Sequence, residues 1–465
     1  MSVLLVHPPQ VGEVGMQRLA FVEPLAIERL AACVPEAHPR ILDMRPDADL
    51  EGALREARPR VVGIACPFTT QVPEVIRLAE RVRAAAREAV VLVGGHHPTL
   101  MPQDFAKPSV DAIVVGEGEK TFADVVARAL DGSPLDDVPG LILNSPDGQR
   151  RTAPRTPIQD LDSLPLPARH LTADWRRRYF WMNQIPHALV ETARGCPYRC
   201  TFCSVWRFYG TAVRYQSPER IVEEVAAVRE PYVFFTDDNF LLSVSRAREA
   251  AELLARRGIR KQYTFQARTD TIAKHPELIK QWRDIGLVCV FLGLEKVSGE
   301  GLEDLDKRNT VENNEAAIAL LKQLGVGFTG NFIADPQWDH AAFAELREYV
   351  SERQLFNSSF SVLTPLPGTV LYEEVREQIT TDDYERFDLW HTVLPTRLPL
   401  NEFYREFAGL WQASAASTPQ ANRRRRLLKG LWQVLTGRVN LAHAKALGEA
   451  LKQLRDPEVY LRGHG

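Results

Sequence analysis

Three cysteines carry the most distinctive chemistry in this sequence. Cys196, Cys200 and Cys203 lie in a C-x3-C-x2-C spacing within Glu191-Thr-Ala-Arg-Gly-Cys-Pro-Tyr-Arg-Cys-Thr-Phe-Cys-Ser204. Gly195 and Pro197 disfavour regular structure, so the stretch is expected to be a loop. Three thiolates on so short a loop can converge on one face of a cubane, leaving the fourth iron of a [4Fe–4S] cluster without a protein ligand. An open iron is a place for chemistry rather than only electron storage. Clustered cysteines also suit zinc, but structural zinc usually takes four ligands, and no second C-x2-C or H-x3-H lies nearby. Three cysteines and no signal peptide make a disulfide the poorer choice.

This spacing, with the aromatic Phe202 just before the last cysteine, resembles the signature of radical S-adenosylmethionine (SAM) enzymes. The resemblance implies that SAM chelates the open iron through its amino and carboxylate groups. One electron from the cluster then cleaves SAM to a 5′-deoxyadenosyl radical, and an external one-electron reductant of flavodoxin or ferredoxin type becomes an expected partner.

The elements that must position this loop follow from periodicity. From Leu189 to about residue 375, strand patterns at Leu189–Thr192, Tyr232–Thr236, Tyr263–Ala267, Val288–Leu294, Gly327–Ile333 and Ser358–Leu363 alternate with helical ones. Six strands are fewer than the eight of a closed barrel, and match the partial (β/α)6 barrel that the resemblance implies. Polar residues end several strands, where a barrel carries its site. By family resemblance, Asp237 and Asp238 would accept hydrogen bonds from the SAM ammonium. Arg268 is suited to a carboxylate, and Glu295 to ribose hydroxyls. An ion pair at the strand ends is the alternative for each. Thr364-Pro-Leu-Pro-Gly-Thr369 resembles the turn closing the barrel in one subgroup of the family.

Residues 1–130 alternate strand and helix as well, with strands expected at Val3–Val6, Val61–Ala65, Val90–Val93 and Ala112–Val115. That pattern predicts an α/β, doubly wound, Rossmann-like domain, which takes ligands at the carboxyl ends of its strands. The loops there are Pro8-Pro9, Phe68-Thr69-Thr70-Gln71, Gly94-Gly95-His96 and Gly116-Glu117-Gly118. A GxGxxG fingerprint is absent, which disfavours a nicotinamide dinucleotide. Together the loops resemble the cobalamin-binding domain found before the cluster motif in a large radical-SAM subgroup. The D-x-H-x-x-G motif that ligates cobalt elsewhere is missing, as expected where cobalamin binds without a histidine beneath the metal. Phe68, Thr69, Thr70 and Gln71 are the candidates for that lower face, and the other loop residues complete the expected cobalamin contacts. His96 and His97 are read as hydrogen-bonding or packing residues rather than cobalt ligands.

Residues 131–188 are rich in proline and are expected to connect the two domains. Trp175–Met182, basic and aromatic, would either line the cleft or cover the barrel. Residues 376–465 are expected to form a mainly helical cap over the barrel mouth, and resemble the C-terminal part of hopanoid C-3 methylases and related cobalamin-dependent enzymes. Arg423–Leu435 joins a basic run to apolar residues, a composition suited either to a solvated helix or to peripheral contact with anionic lipid.

Composition bounds the rest. A chain of 465 residues with 45% hydrophobic and 25% charged residues is that of a multidomain globular protein. A net charge of −3 argues against nucleic acid as a partner. No apolar run reaches a membrane span, and six cysteines fit a reducing cytoplasm. The resemblance as a whole implies a C-methyltransferase for a small-molecule or lipid substrate, or an oxidative cyclase or ring-rearranging enzyme built from the same domains. A cobalamin sensor or electron-transfer protein is the non-enzymatic reading.

Overall fold

The computed structural model describes residues 2–12, 19–46, 48–298, 301, 309–419 and 441–462. Two parallel sheets organise it. The first contains β1 (Ser2–His7), β2 (Pro39–Asp43), β3 (Pro59–Ala65), β4 (Val90–Gly94) and β5 (Ala112–Val114), all parallel, in the order β2-β1-β3-β4-β5. Helices α1 (Leu25–Ala32), α2 (Leu50–Ala57), α3 (Val72–Ala85), α4 (His96–Leu100) and α5 (Gly118–Asp131) connect them. Two apolar cores, one around Val75, Leu78 and Val82 and the other around Ile27, Phe122 and Val125, cover the two faces. Strands buried on both faces read as unbroken apolar runs, which is why β1, β3 and β4 were legible. The β2 strand and α2 were not: Pro39-Arg-Ile-Leu-Asp43 is short, polar at both ends and half-exposed at the sheet edge.

The sheet does not stop at residue 130. It continues through an antiparallel hairpin of β6 (Leu141–Ser145) and β7 (Gly148–Arg151), extending the first domain into the expected connector. The remaining connector is pinned rather than loose. Phe180–Trp181 pairs with Ala20–Phe21, and the Trp181 ring packs edge-on against Phe234 and Phe291 at 5.3 and 5.6 Å. The aromatic stretch therefore closes against the barrel strands.

The second sheet is the half-barrel: β8 (His187–Val190), β9 (Tyr232–Phe235), β10 (Gln262–Ala267), β11 (Leu287–Glu295), β12 (Gly327–Ala334) and β13 (Ser359–Val362), six parallel strands in sequential order. Between the cluster loop and β9 come α6 (Val205–Tyr209) and α7 (Pro218–Ala227); α8 (Val244–Arg256), α9 (Pro276–Ile285), α10 (Val311–Leu324) and α11 (His340–Glu352) follow later strands. Each long helix turns one apolar stripe to the sheet, as Leu278, Ile279, Trp282 and Ile285 do on α9.

The C-terminal region departs from a simple cap. Helix α12 (Leu400–Ala416) lies on the barrel's flank, with Phe403 against Phe343 of α11 and Trp411 against Phe360 of β13. Helices α13 (Leu441–Gln453) and α14 (Pro457–Leu461) follow, and Tyr460 stacks on Tyr404 at 5.5 Å. Phe403, Tyr404 and Trp411 are spent on this lateral packing, whereas Tyr384 packs edge-on against His97 of the first domain. The basic stretch at 423–435 lies outside the described residues. Among the described residues no helix is long and apolar enough to cross a membrane.

One buried group gives the barrel a pH dependence. His187, at the start of β8, is fully buried with no hydrogen-bond partner on either ring nitrogen. Burial pushes it down to about 4, with Glu23 pulling weakly the other way. A histidine folded in its neutral form loses stability as pH falls below its unfolded value of about 6.5. At pH 5 the loss is about 2 kcal/mol. His187→Phe is therefore expected to flatten the fall in urea midpoint between pH 7 and pH 5; an unchanged slope would show that this ring does not carry it.

Candidate active site between the two sheets

The loop from Arg194 to Ser204 is fastened at its root by a buried carboxylate. Asp237, just beyond β9, accepts the backbone N–H groups of Thr192 and Ala193 at 2.6 and 3.0 Å, and also the Thr192 hydroxyl. Arg246 of α8 donates to the same carboxylate at 3.3 Å and to the Thr192 carbonyl at 3.0 Å. Burial raises the Asp237 carboxyl, against the pull of Arg246 and Thr192. Its oxygens are thus committed to the loop's root. Gly195 has φ +101°, and a Cβ there would stand 2.6 Å from the Ala212 carbonyl oxygen. Only glycine enters the loop at that angle without displacing the backbone at Ala212.

The far side of the loop is held by side chains that motif reading passed over. The Cys200 carbonyl accepts from the Cys203 N–H and from the Trp206 indole, both at 3.1 Å. Arg207 donates to the Gly368 carbonyl at 3.0 Å, and the Leu371 N–H reaches the Thr201 carbonyl at 3.0 Å. The turn at 364–369 thereby clamps the loop from the end of the barrel. None of the six cysteines is joined in a disulfide. Cys203 is pushed up to about 12 by burial, and Cys196 is raised for the same reason. Iron loading must therefore displace thiol protons. Among the described residues no three His, Cys, Asp or Glu side chains are gathered closely enough for a single metal ion. A cubane would ask each thiol for a different iron rather than for one shared ion.

Residues expected to meet SAM stand at the ends of three adjacent strands. Asp238 follows β9; it is accessible from the cleft, though protein surrounds it on nearly every side. Desolvation, Asp237 and Glu191 push its carboxyl up to about 7. Arg268, after β10, lies 3.9 Å over the Tyr198 ring of the cysteine loop and bonds Asp270 at 3.1 Å. Glu295 ends β11 with φ +62°, a left-handed backbone at a bulge in the β11–β12 pairing. Phe202 is half-buried on the loop itself. Of the acidic pair, Asp238 is the carboxylate still open to a ligand.

Facing the loop, the carboxyl ends of β1, β3, β4 and β5 enclose a cavity of about 450 Å³, lined mostly by apolar atoms. Its walls include Phe68, Gly94, Gly95, His96, Gly116, Glu117 and Gly118 from the first domain. Leu189, Glu191, Arg194, Phe208, Tyr209 and Thr236 come from the barrel. Phe68 presents 65% of its surface, the most exposed large apolar side chain among the described residues. A Cβ on Gly95, at φ +123°, would stand 2.8 Å from the Cys66 carbonyl oxygen, whereas Gly116 at φ +79° faces open space. The His96 ring stacks on Phe208 at 4.7 Å, is pushed down to about 4 by burial, and leaves Nε2 unpartnered at the cavity wall. An apolar wall, glycines at the rim and an orphaned ring nitrogen fit a large flat ligand with polar edges.

Other expected contacts are also tied to neighbouring protein groups. Pro8 is buried, and the Pro9 carbonyl accepts from Gln71 at 3.2 Å, tying two loops together. Thr69 and Thr70 are half-buried in the turn beside Phe68, and Thr69 bonds His97. Glu117 accepts from Arg214 at 2.7 and 2.9 Å and from Arg194 at 3.1 Å, so it joins domains. Arg194 also reaches Glu119 and Glu191, while Arg169 and Arg176 bind Glu23. Behind them Glu28 is raised well above the usual carboxylate range by burial and by Glu23. Arg194 was visible in the sequence beside Cys196, but its partners 75 and 77 residues away were not.

Comparison with known proteins agrees with this geometry. Residues 15–126 match the B12 binding domain, and residues 190–350 match the Radical SAM superfamily. The chain is 37% identical over 415 residues to a hopanoid C-3 methylase of Methylococcus capsulatus, covering 87% of this chain and 78% of that protein. Two solved structures share the fold. The cobalamin-dependent SAM radical enzyme OxsB, with aqua-cobalamin and SAM bound, aligns at TM-score 0.71 and 16% identity over 99% of this chain and 74% of that one. The radical SAM methyltransferase TsrM of Kitasatospora setae, with cobalamin and a [4Fe–4S] cluster, aligns at TM-score 0.69 and 19% identity over 98% and 99%.

Proposed function

Because the chain belongs to the cobalamin-dependent radical SAM methyltransferases, we propose that it methylates an unactivated carbon of a small, largely apolar substrate, with polycyclic lipids of the hopanoid kind as the substrate class. The observation that carries this reading is the apolar cavity shared by the glycine-rim loops of the first domain and the root of the cysteine loop. The 37% identity to a hopanoid C-3 methylase supports the substrate class.

When bound, the cluster with SAM supplies a hydrogen-abstracting radical, and cobalamin supplies the methyl group. The protein's own residues position and shield. Cys196, Cys200 and Cys203 would hold the cluster, on a loop that Asp237 and Arg246 keep rigid. Asp238, Arg268 and Glu295 would orient SAM through its ammonium, carboxylate and ribose, with Tyr198 holding the guanidinium plane. Phe202 would pack beside it. Gly94, Gly95, Gly116 and Gly118 would let the corrin approach the strand ends, and His96 Nε2 would accept an amide N–H from its edge. Phe68, with Thr69, Thr70 and Gln71 behind it, would cover the lower face of the metal. Phe208, Tyr209 and Thr236 line the space between, where they would help keep water from a radical. A flavodoxin- or ferredoxin-type donor would supply the electron, and six cysteines without a disulfide suit a reducing compartment.

The test is mass analysis of product formed under strong reductant from methyl-deuterated SAM, with the reconstituted enzyme and a hopanoid lipid. The expected result is one labelled methyl group per product. An altered product without label would replace methyl transfer by cyclisation or rearrangement. Failure to release any 5′-deoxyadenosine would overturn the enzymatic reading.

A further inference from the structure

A chain of hydrogen bonds runs from the C-terminal region to the loop under Phe68. Tyr384 lies in a short turn (Tyr384–Arg386) that packs against the turn Thr69–Gln71 of the first domain. Its hydroxyl donates to Asp104 Oδ2 at 2.9 Å. The same oxygen is 2.9 Å from His97 Nε2, and His97 Nδ1 is 3.0 Å from the Thr69 hydroxyl. In a neutral ring, Nε2–H donating to Asp104 leaves Nδ1 to accept from Thr69. His97 is only 3% exposed, and the Tyr384 ring lies edge-on to it at 5.2 Å. Thr69, Asp104 and Tyr384 are each half-buried around it, and each member of the relay orders the next.

We infer that Tyr384 is a positioning residue for the cavity loop Pro67–Gln71, acting through Asp104, His97 and Thr69. The loop's other tie to a neighbouring segment is Gln71, which donates to the Pro9 carbonyl at 3.2 Å; Phe68 stands exposed at the cavity, and the Cys66 thiol makes only a 3.6 Å contact with the Phe68 carbonyl. Docking of the C-terminal segment therefore sets the shape of the surface that meets the corrin. This inference rests on the cobalamin reading above for its consequence, but not for its geometry.

Two measurements on the full chain separate the two. Hydrogen exchange on the protein without cobalamin reads the latch alone. Tyr384→Phe keeps the ring and loses the hydroxyl, and is expected to speed exchange in the peptide covering residues 66–72 by about threefold to tenfold, the worth of one hydrogen bond. Peptides from β1 and α5 should not change. Thr69→Val should do the same, and the double variant should add little to either single one. With cobalamin bound, Tyr384→Phe should release it faster by a similar factor, with a changed cob(II)alamin spectrum. Unchanged exchange at 66–72, acceleration spread evenly over the domain, or fully additive effects would each overturn the inference. A wild-type protein that binds no cobalamin would count against the proposed function, while the exchange result would still decide the latch.

Discussion

Cys200→Ala is expected to leave a folded protein whose iron and sulfide content after anaerobic reconstitution falls to background, and which releases no 5′-deoxyadenosine from SAM. Cys200 is the most buried of the three loop thiols, at 8% exposure. Its backbone carbonyl, not its thiol, holds Trp206 and Cys203, so alanine preserves the loop while removing a ligand. With two thiolates left the cubane loses one of its three anchors, and the radical chemistry goes with it. The loss should therefore be of several orders of magnitude rather than a partial effect. Cys33→Ala is the matched control: that thiol is half-buried in the first domain, and its loss should leave cluster and cleavage intact. Retained cluster content in Cys200→Ala would refute the ligand assignment.

Arg194→Met is expected to cost about 3–5 kcal/mol, the magnitude for stripping one partner from a buried ion pair. Arg194 is 4% exposed, and its guanidinium meets Glu117 at 3.1 Å, Glu191 at 2.8 Å and also Glu119. Arg214 would still neutralise Glu117, whereas Arg29 approaches Glu191 only to 3.9 Å. The damage falls on Glu119 and Glu191, which sit across the joint between the two sheets. Burial works against ionisation of Glu191, but Arg194 and Arg29 outweigh it and hold the carboxyl below its ordinary 4.5. A depressed carboxylate stabilises above its unfolded pKa and loses that contribution as pH falls through the folded value. The gap between Arg194→Met and wild type, read from urea midpoints, should thus be full near pH 7 and shrink below about pH 4.5. Adding Glu119→Gln should recover part of it at neutral pH. A deficit that neither acid nor Glu119→Gln reduces would show that lost packing, not charge, is responsible.

How much of this was legible beforehand varies with the physics of each part. The cysteine loop was legible because its pattern is local: three cysteines within eight residues need no partner from elsewhere to be recognised. Both sheets were legible because buried parallel strands are apolar throughout, while β2 and α2 escaped notice at the half-polar edge. Asp237 shows the limit. Its place after β9 announced a carboxylate at a strand end, but choosing between a cofactor contact and a loop anchor required Thr192, Ala193 and Arg246 to be seen around it.

By itself the sequence determined the family and its cofactors, the two α/β units and their order, and the glycines at the strand ends. All of these rest on spacing within a short stretch or on the period of one element. Only the tertiary structure decided which charged residues are joints and which are open to a ligand. Arg194 with Glu117 and Glu119, and Tyr384 with Asp104, His97 and Thr69, join residues far apart in the chain. A buried charge or hydroxyl takes its role from the partner that satisfies it, and that partner is chosen by folding rather than by sequence neighbourhood.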